Sequence, residues 1–143
     1  MKILIGRTDF AEFPDLEISQ INVKVDTGAY TSAVHASEIE EVRVNNETYI
    51  QFKILDESHP EYRDKVFRYK RYARKRIKNS FGQSEERFII ETTIRLFGLC
   101  YPISLSLSER TDLKFPVLLG RKFLTKRFIV DTSLKNLSIK SSK

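Results

Sequence analysis

Cysteine is nearly missing from this chain of 143 residues. Cys100 stands alone, so no disulfide can close within the chain, and burial as an inert side chain is its expected state. Histidine is almost as scarce. His35 and His59 fall on different predicted elements, whereas a zinc peptidase needs something like two histidines one helical turn apart with a glutamate nearby. No metal is expected. Gly120-Arg121-Lys122 has a superficial likeness to a phosphate loop, but the first glycine and the spacing of such a loop are missing. No nucleotide or other cofactor is therefore expected. Long apolar runs are lacking too: nothing approaches a membrane span, and the opening Met1-Lys2-Ile3-Leu4-Ile5-Gly6 is too short for a signal-peptide core. These absences predict a cytoplasmic protein with no membrane role.

What is present supports a packed interior. Phe, Tyr, Ile, Leu and Val are plentiful, and the length suits one domain over residues 1–143. The most informative segment is Asp26-Thr27-Gly28-Ala29, entered from the alternating stretch Ile21-Asn22-Val23-Lys24-Val25. A short aliphatic strand running into Asp-Thr-Gly is how an aspartic peptidase presents its catalytic carboxylate. The strand holds Asp26 rigidly, the Thr27 hydroxyl can bond a neighbouring loop backbone, and Gly28 lets backbone approach both carboxylate and substrate. Far downstream, Phe115-Pro116-Val117-Leu118-Leu119-Gly120-Arg121 supplies a second signal. In single-domain aspartic peptidases a pair of aliphatics, then Gly, then often Arg, threads the loop that carries the Asp-Thr-Gly. Gly120 and Arg121 are thus predicted supports of the site, and residues 122–127 a short helix.

Elsewhere strand patterns dominate. Val42-Arg43-Val44 and Tyr49-Ile50-Gln51-Phe52-Lys53-Ile54 alternate around an Asn45-Asn46 turn. Residues 87–96 read as a long strand that Phe97-Gly98 turns back into the alternating 100–107. Phe128-Ile129-Val130-Asp131 and Leu137-Ser138-Ile139 read as two final strands. Residues 37–41 could hold one helical turn capped by Ser37. Between Asp56 and Ser84 the pattern breaks down, which predicts a mobile insertion whose tip, residues 78–86 with Ser80 and Gly82, would act as a flap over the substrate. Cations crowd that insertion. Arg71, Arg74, Lys75, Arg76 and Lys78, with Arg63, Lys65, Arg68 and Lys70 before them, are interleaved with Tyr62, Phe67, Tyr69 and Tyr72 and carry much of the net charge of +6. Such a stretch suits a solvated face, an acidic polypeptide or nucleic acid.

Taken together, several blocks resemble the retropepsin-like family that carries the label ATP-dependent zinc protease. They are Ile5-Gly6-Arg7 with Phe13-Pro14-Asp15-Leu16, the run from Lys24 through Asp26-Thr27-Gly28-Ala29 to Ala36, Arg76 to Gly82 with Glu86-Arg87-Phe88-Ile89-Ile90, Leu107-Ser108-Glu109-Arg110, and Phe115 to Leu124 with Phe128-Ile129-Val130-Asp131. The resemblance covers nearly the whole chain. It implies a mainly β fold, a closed retropepsin-like acid-protease β-barrel of six or more strands with one short C-terminal helix. It also implies a homodimer with one active site at the interface, and an association with ATP-grasp ligases that add glutamates to protein tails.

The chemistry asks for the dimer independently, because water activation by this route needs two carboxylates sharing a proton and the chain offers one Asp-Thr-Gly. Asp131-Thr132-Ser133 is the only rival, and it lacks a following Gly, so Asp131 reads as structural. His35, inside the family block, reads as a packing or hydrogen-bonding residue. One departure from retroviral enzymes stands out. They place a carboxylate where this chain has Tyr30, so Arg121 must find another partner or face the substrate. The sequence thus predicts an aspartic endopeptidase in which Asp26 of two chains cleaves acidic or glutamylated tails, with Arg71, Arg74, Lys75, Arg76 and Lys78 steering them in. The alternative is a non-catalytic basic β-barrel module that binds RNA or a ribosomal or ligase partner, though nucleic acid is not the expected ligand because it leaves Asp26-Thr27-Gly28 unexplained.

Overall fold

The computed structural model describes residues 1–78, 82–109 and 115–138. Its strands, in chain order, are β1 (Ile3–Ile5), β2 (Thr8–Phe13), β3 (Ile18–Val25), β4 (Ser32–Val44), β5 (Glu47–Ile54), β6 (Phe67–Tyr69), β7 (Tyr72–Lys78), β8 (Ser84–Leu96), β9 (Leu99–Ser108), β10 (Val117–Leu119) and β11 (Phe128–Val130). Among the described residues a short helix, α1 (Arg121–Leu124), follows Gly120, and a 3-10 turn, Pro14–Leu16, joins β2 to β3. The protein is mainly β with one short helix, as its sequence implies.

Closure is the feature that positions everything else. The order β10-β3-β2-β8-β9-β4 returns to its start because β10 also pairs with β4, giving a ring of six strands. Inside it lie Val23, Val34, Ile90, Ile94, Leu105, Leu107, Val117 and Leu119, all buried. These residues alternate along their strands, so the polar positions between them face outward. The outer half of β4 pairs instead with β5, which carries β6 at its far edge. There Phe52 is fully buried against the rings of Phe67 and Tyr69, at centroid distances of 6.0 and 5.7 Å. Beyond the ring, β1 and β11 form a parallel pair. The tight turns have a local cause. Asn45 and Asn46 have φ of 51° and 65°, and Phe97 and Gly98 have 54° and 73°, the left-handed geometry that matches the twist of a two-residue hairpin.

Four expectations are corrected. Residues 56–84 are not a structureless insertion, since β6 and β7 occupy much of it and β7 pairs antiparallel with β8 from Tyr72↔Ile90 to Lys78↔Ser84. The cations hide the strand from pattern reading because they stand where polar strand residues stand. Residues 37–41 are not helical. They belong to β4, with a bulge between Ser37 and Glu40 and Glu38 at φ 50°, because pairing with β5 overrides local preference. Cys100 is exposed rather than buried, at the start of β9 where Arg95 faces it. Leu137 and Ser138 take helical geometry instead of strand geometry.

Candidate active site

Asp26 follows the last residue of β3 and opens the loop that returns as β4. The final strand of the ring threads that loop. β10 runs parallel to β3, with Leu119 beside Val25, and antiparallel to β4, with Val117 beside Val34. Its backbone then holds the loop at successive points. The Asp26 N–H donates to the Leu119 carbonyl at 2.9 Å, the Arg121 N–H to the Ala29 carbonyl at 2.8 Å, and the Lys122 N–H to the Tyr30 carbonyl at 2.9 Å. The Gly120 N–H donates to Ser32 Oγ at 2.9 Å, and Ser32 is buried. Ser32 was missed by the sequence reading. Its signal would have been the question of which group accepts the N–H of a glycine packed into a loop.

The two glycines are needed for different reasons. A Cβ on Gly120 would stand 2.6 Å from the Tyr30 carbonyl oxygen and 2.9 Å from the Thr31 carbonyl carbon, which are backbone atoms that cannot step aside. A Cβ on Gly28 would meet Asp26 Oδ1 at 3.3 Å, a tight contact with the carboxylate itself. The Gly28 N–H donates to that same oxygen at 3.1 Å, and the Ala29 N–H donates to the Asp26 carbonyl at 3.2 Å. Asp26 is partly exposed, so its carboxylate is both anchored and reachable.

Arg121 solves the problem posed by Tyr30. Its Nη1 donates to the Thr27 carbonyl at 3.0 Å and its guanidinium lies 5.8 Å from the centre of the Tyr30 ring. A cation–π contact thus takes the place of an ion pair. His35 braces the approach to β10. Its N–H donates to the Pro116 carbonyl, and its Nε2 lies 2.6 Å from Asp56 Oδ2. The Ser58 hydroxyl and then the Ser58 backbone N–H hold Asp56 down at about 2, with His35 adding to the effect.

The remaining predicted site residues belong to other elements. Gly82, at φ 80°, follows the β7 end of the β7–β8 hairpin, while Ser80 lies outside the described residues. Arg74, Lys75 and Arg76 are on β7 itself, Arg71 is in the turn before it, and Lys78 ends it. Much of this charge is already matched. Arg74 pairs with Glu41 and, at 3.2 Å, with Glu86; Lys70 pairs with Glu47 at 2.9 Å; Lys65 pairs with Glu17; and Arg68 Nε donates to Gln51. Arg71 and Lys75 have no ion pair among the described residues.

The sequence that builds this site matches a known family. The family described as RimB-like, retropepsin-like aspartic endopeptidase RimB, fits residues 4–141. The chain belongs to it. Curated relatives share the sequence at moderate identity. A protein of Desulfotalea psychrophila named "Probable alpha-L-glutamate ligase" is 37% identical over 138 residues, 94% of this chain and 29% of the relative. A protein of the same name from Shewanella pealeana is 33% identical over 136 residues, 92% of this chain and again 29% of the relative. The chain therefore spans about 29% of the length of the curated relatives it matches. Among solved structures, a Legionella pneumophila protein of unknown function superposes with a TM-score of 0.75 at 23% identity, over 96% of this chain and 99% of that one, which shows the fold. No cluster of His, Cys, Asp and Glu able to hold a metal occurs among the described residues, and no described helix is long and apolar enough to cross a membrane.

Two predictions follow from the loop and its braces. Gly120→Ala pushes a methyl group into the Tyr30 carbonyl, so unfolding in denaturant should show a loss of about 1–3 kcal/mol or more. The Asp56 proton affinity is lowered by folding, so acid favours the unfolded chain. The stability this carboxylate supplies is complete above its ordinary value near 4 and should fade as pH falls toward about 2. Melting curves of Asp56→Asn should show a shallower loss across that window than the wild type.

Proposed function

We propose that this chain is an aspartic peptidase domain that works as a homodimer, with Asp26 from each copy facing the other across a twofold axis. The observation that carries the reading is the Asp26 loop itself, pinned by β10 through backbone hydrogen bonds and left open to solvent on its carboxylate side. Hydrolysis by this route needs one carboxylate as base toward a water and a second, protonated, as acid toward the amide. Asp131 does not serve as the second within one chain. Its Oδ1 accepts the Ser133 hydroxyl at 2.6 Å and the Ser133 N–H at 2.9 Å, the hydroxyl first among the causes that lower its proton affinity. It is spent on its own turn. A second copy of Asp26 is the group that completes the site.

The substrate class we propose is a glutamate-rich polypeptide tail. The curated relatives are named for glutamate ligation, and a peptidase domain within or beside such a ligase would act on the chains it extends. The ligation chemistry itself would belong to the part of those relatives that this chain does not span. The competing reading, a non-catalytic basic module for RNA or for a ribosomal or ligase partner, loses support from the ion pairs that occupy Arg74, Lys70 and Lys65. It also gives Asp26 no task.

The deciding experiment compares wild type with Asp26→Asn on a glutamate-tailed peptide, read by mass spectrometry from acid to neutral pH. The exchange keeps the size and the Gly28 contact but removes the base, so cleavage should fall by a factor of about 10³ or more. Equal cleavage by both proteins sinks the aspartic mechanism. Retained RNA binding in Asp26→Asn with no cleavage by either protein favours the competing module.

A further inference from the structure

Two polar groups on the outer face of the ring, on β8 and β9, find no hydrogen-bond partner among the described residues. Ser106 Oγ and Arg87 Nε are both shut off from solvent, and neither makes a hydrogen bond among the described residues. Strand register shows where they stand. Leu118 pairs with Ala33, Ala33 with Ser106, Ser106 with Ile89, and Ile89 with Ala73, so one row crosses β10, β4, β9, β8 and β7. Residues in register share a face. Lys24 of β3 also pairs with Leu118, and Asp26 follows two residues further along the chain, just past the end of β3. Arg87 sits two residues from Ile89 on this face, directly opposite Lys75 of β7.

The opposite side of these strands holds the aliphatic interior, including Val34, Ile90 and Leu105. Ser106 is therefore no part of that core, although it is only 3% exposed. Along the row its neighbours are the small Ala33 of β4 and Ile89 of β8. A buried donor without an acceptor is costly, and a partner that supplies the acceptor recovers that cost. A guanidinium can only donate, and a hydroxyl beside it can donate as well, so both call for an occupant rich in acceptors. Lys75, exposed next to Arg87, adds positive charge. The local carboxylates do not fill the role. Glu85 Oε2 takes Arg87 Nη2 at 3.2 Å and leaves Nε unaddressed, while Glu91 Oε1 accepts the Ser104 hydroxyl at 2.5 Å.

We propose that Arg87 and Ser106, with Lys75 at the rim, form a subsite that reads a glutamate side chain of a polypeptide lying across Asp26. The inference rests on the peptidase reading for the position of the polypeptide and adds the residues that select its charge. Arg87 supplies the charge-assisted bond and Ser106 supplies a second donor at the floor. An amide in place of the carboxylate presents one acceptor and two donors, and its donors would face other donors.

The test uses two peptides of equal length, one ending in glutamates and one in glutamines, with wild type, Arg87→Gln and Ser106→Ala. Binding is read by fluorescence anisotropy and cleavage by mass spectrometry. Wild type should prefer the glutamate peptide by about 10-fold or more, the size expected of a charge-assisted hydrogen bond. Arg87→Gln should erase the preference, Ser106→Ala should cut it severalfold, and binding of the glutamine peptide should change little. Ser106→Ala removes an unpartnered hydroxyl and should fold at least as well as wild type, which keeps the test decisive if Arg87→Gln folds poorly. A preference that survives both substitutions, or a wild type that shows none, overturns the subsite. Cleavage with a preference indifferent to Arg87 and Ser106 removes the subsite and keeps the peptidase. A preference that depends on these residues, without cleavage at any pH, keeps the subsite and removes the peptidase.

Discussion

The close passage of Gly120 through the Asp26 loop is the constraint on which the rest of the structure depends. With no side chain at that point, β10 can lie between β3 and β4 and exchange backbone hydrogen bonds with both. The ring closes through the same strand, so closing the sheet and fixing the carboxylate are one event. This has a cost in assembly. β10 comes late in the chain, and its partners come early, so the loop around Asp26 cannot be set until most of the polypeptide is in place. A site built this way is rigid where it must be, because its supports are backbone groups rather than long side chains.

Charge is arranged with similar economy. The net charge of +6 suggests a strongly basic surface, and the sequence crowds much of it into one stretch. In the fold that stretch lies beside carboxylates from β4, β5 and β8. Glu41, Glu47 and Glu86 take up Arg74 and Lys70, while Tyr72 donates to Glu41 at 2.5 Å. Exposed pairs of this kind add little stability, but they cancel the local field. The cations left for a ligand are fewer and better placed than composition implies. Lys75 is the informative one, since it stands exposed directly opposite Arg87.

The parts of the fold legible in the sequence were those with a local physical cause. Asp26-Thr27-Gly28-Ala29 and Leu118-Leu119-Gly120-Arg121 could be read because a tight threaded loop admits few residue types. Asn45-Asn46 and Phe97-Gly98 could be read because left-handed turns restrict composition. What escaped was decided by distant partners. β7 is a strand because β8 pairs with it along its length, and the alternating cations conceal this. Residues 37–41 look helical by themselves yet follow β5 around a bulge. Ser32 and Arg87 fall inside family blocks that give them no individual role, Ser106 lies outside those blocks, and the places of all three emerge only from register and from hydrogen bonds made or unmet.

Tyr30 bears on the two-chain reading in a different way. An ion pair at this position would bind Arg121 to a hydrated carboxylate. The Tyr30 ring instead lets the guanidinium keep its bond to the Thr27 carbonyl while placing an aromatic surface beside the Asp26 turn. That ring is 53% exposed, unusual for a large side chain so close to a structured loop. Exposed aromatic area near an open carboxylate suits a surface that another protein covers. The proposed mechanism calls for a second carboxylate, and a second copy of this chain would bring one together with a second Tyr30. The tyrosine that leaves Arg121 with no ion pair among the described residues thus favours the same assembly that the proposed mechanism calls for.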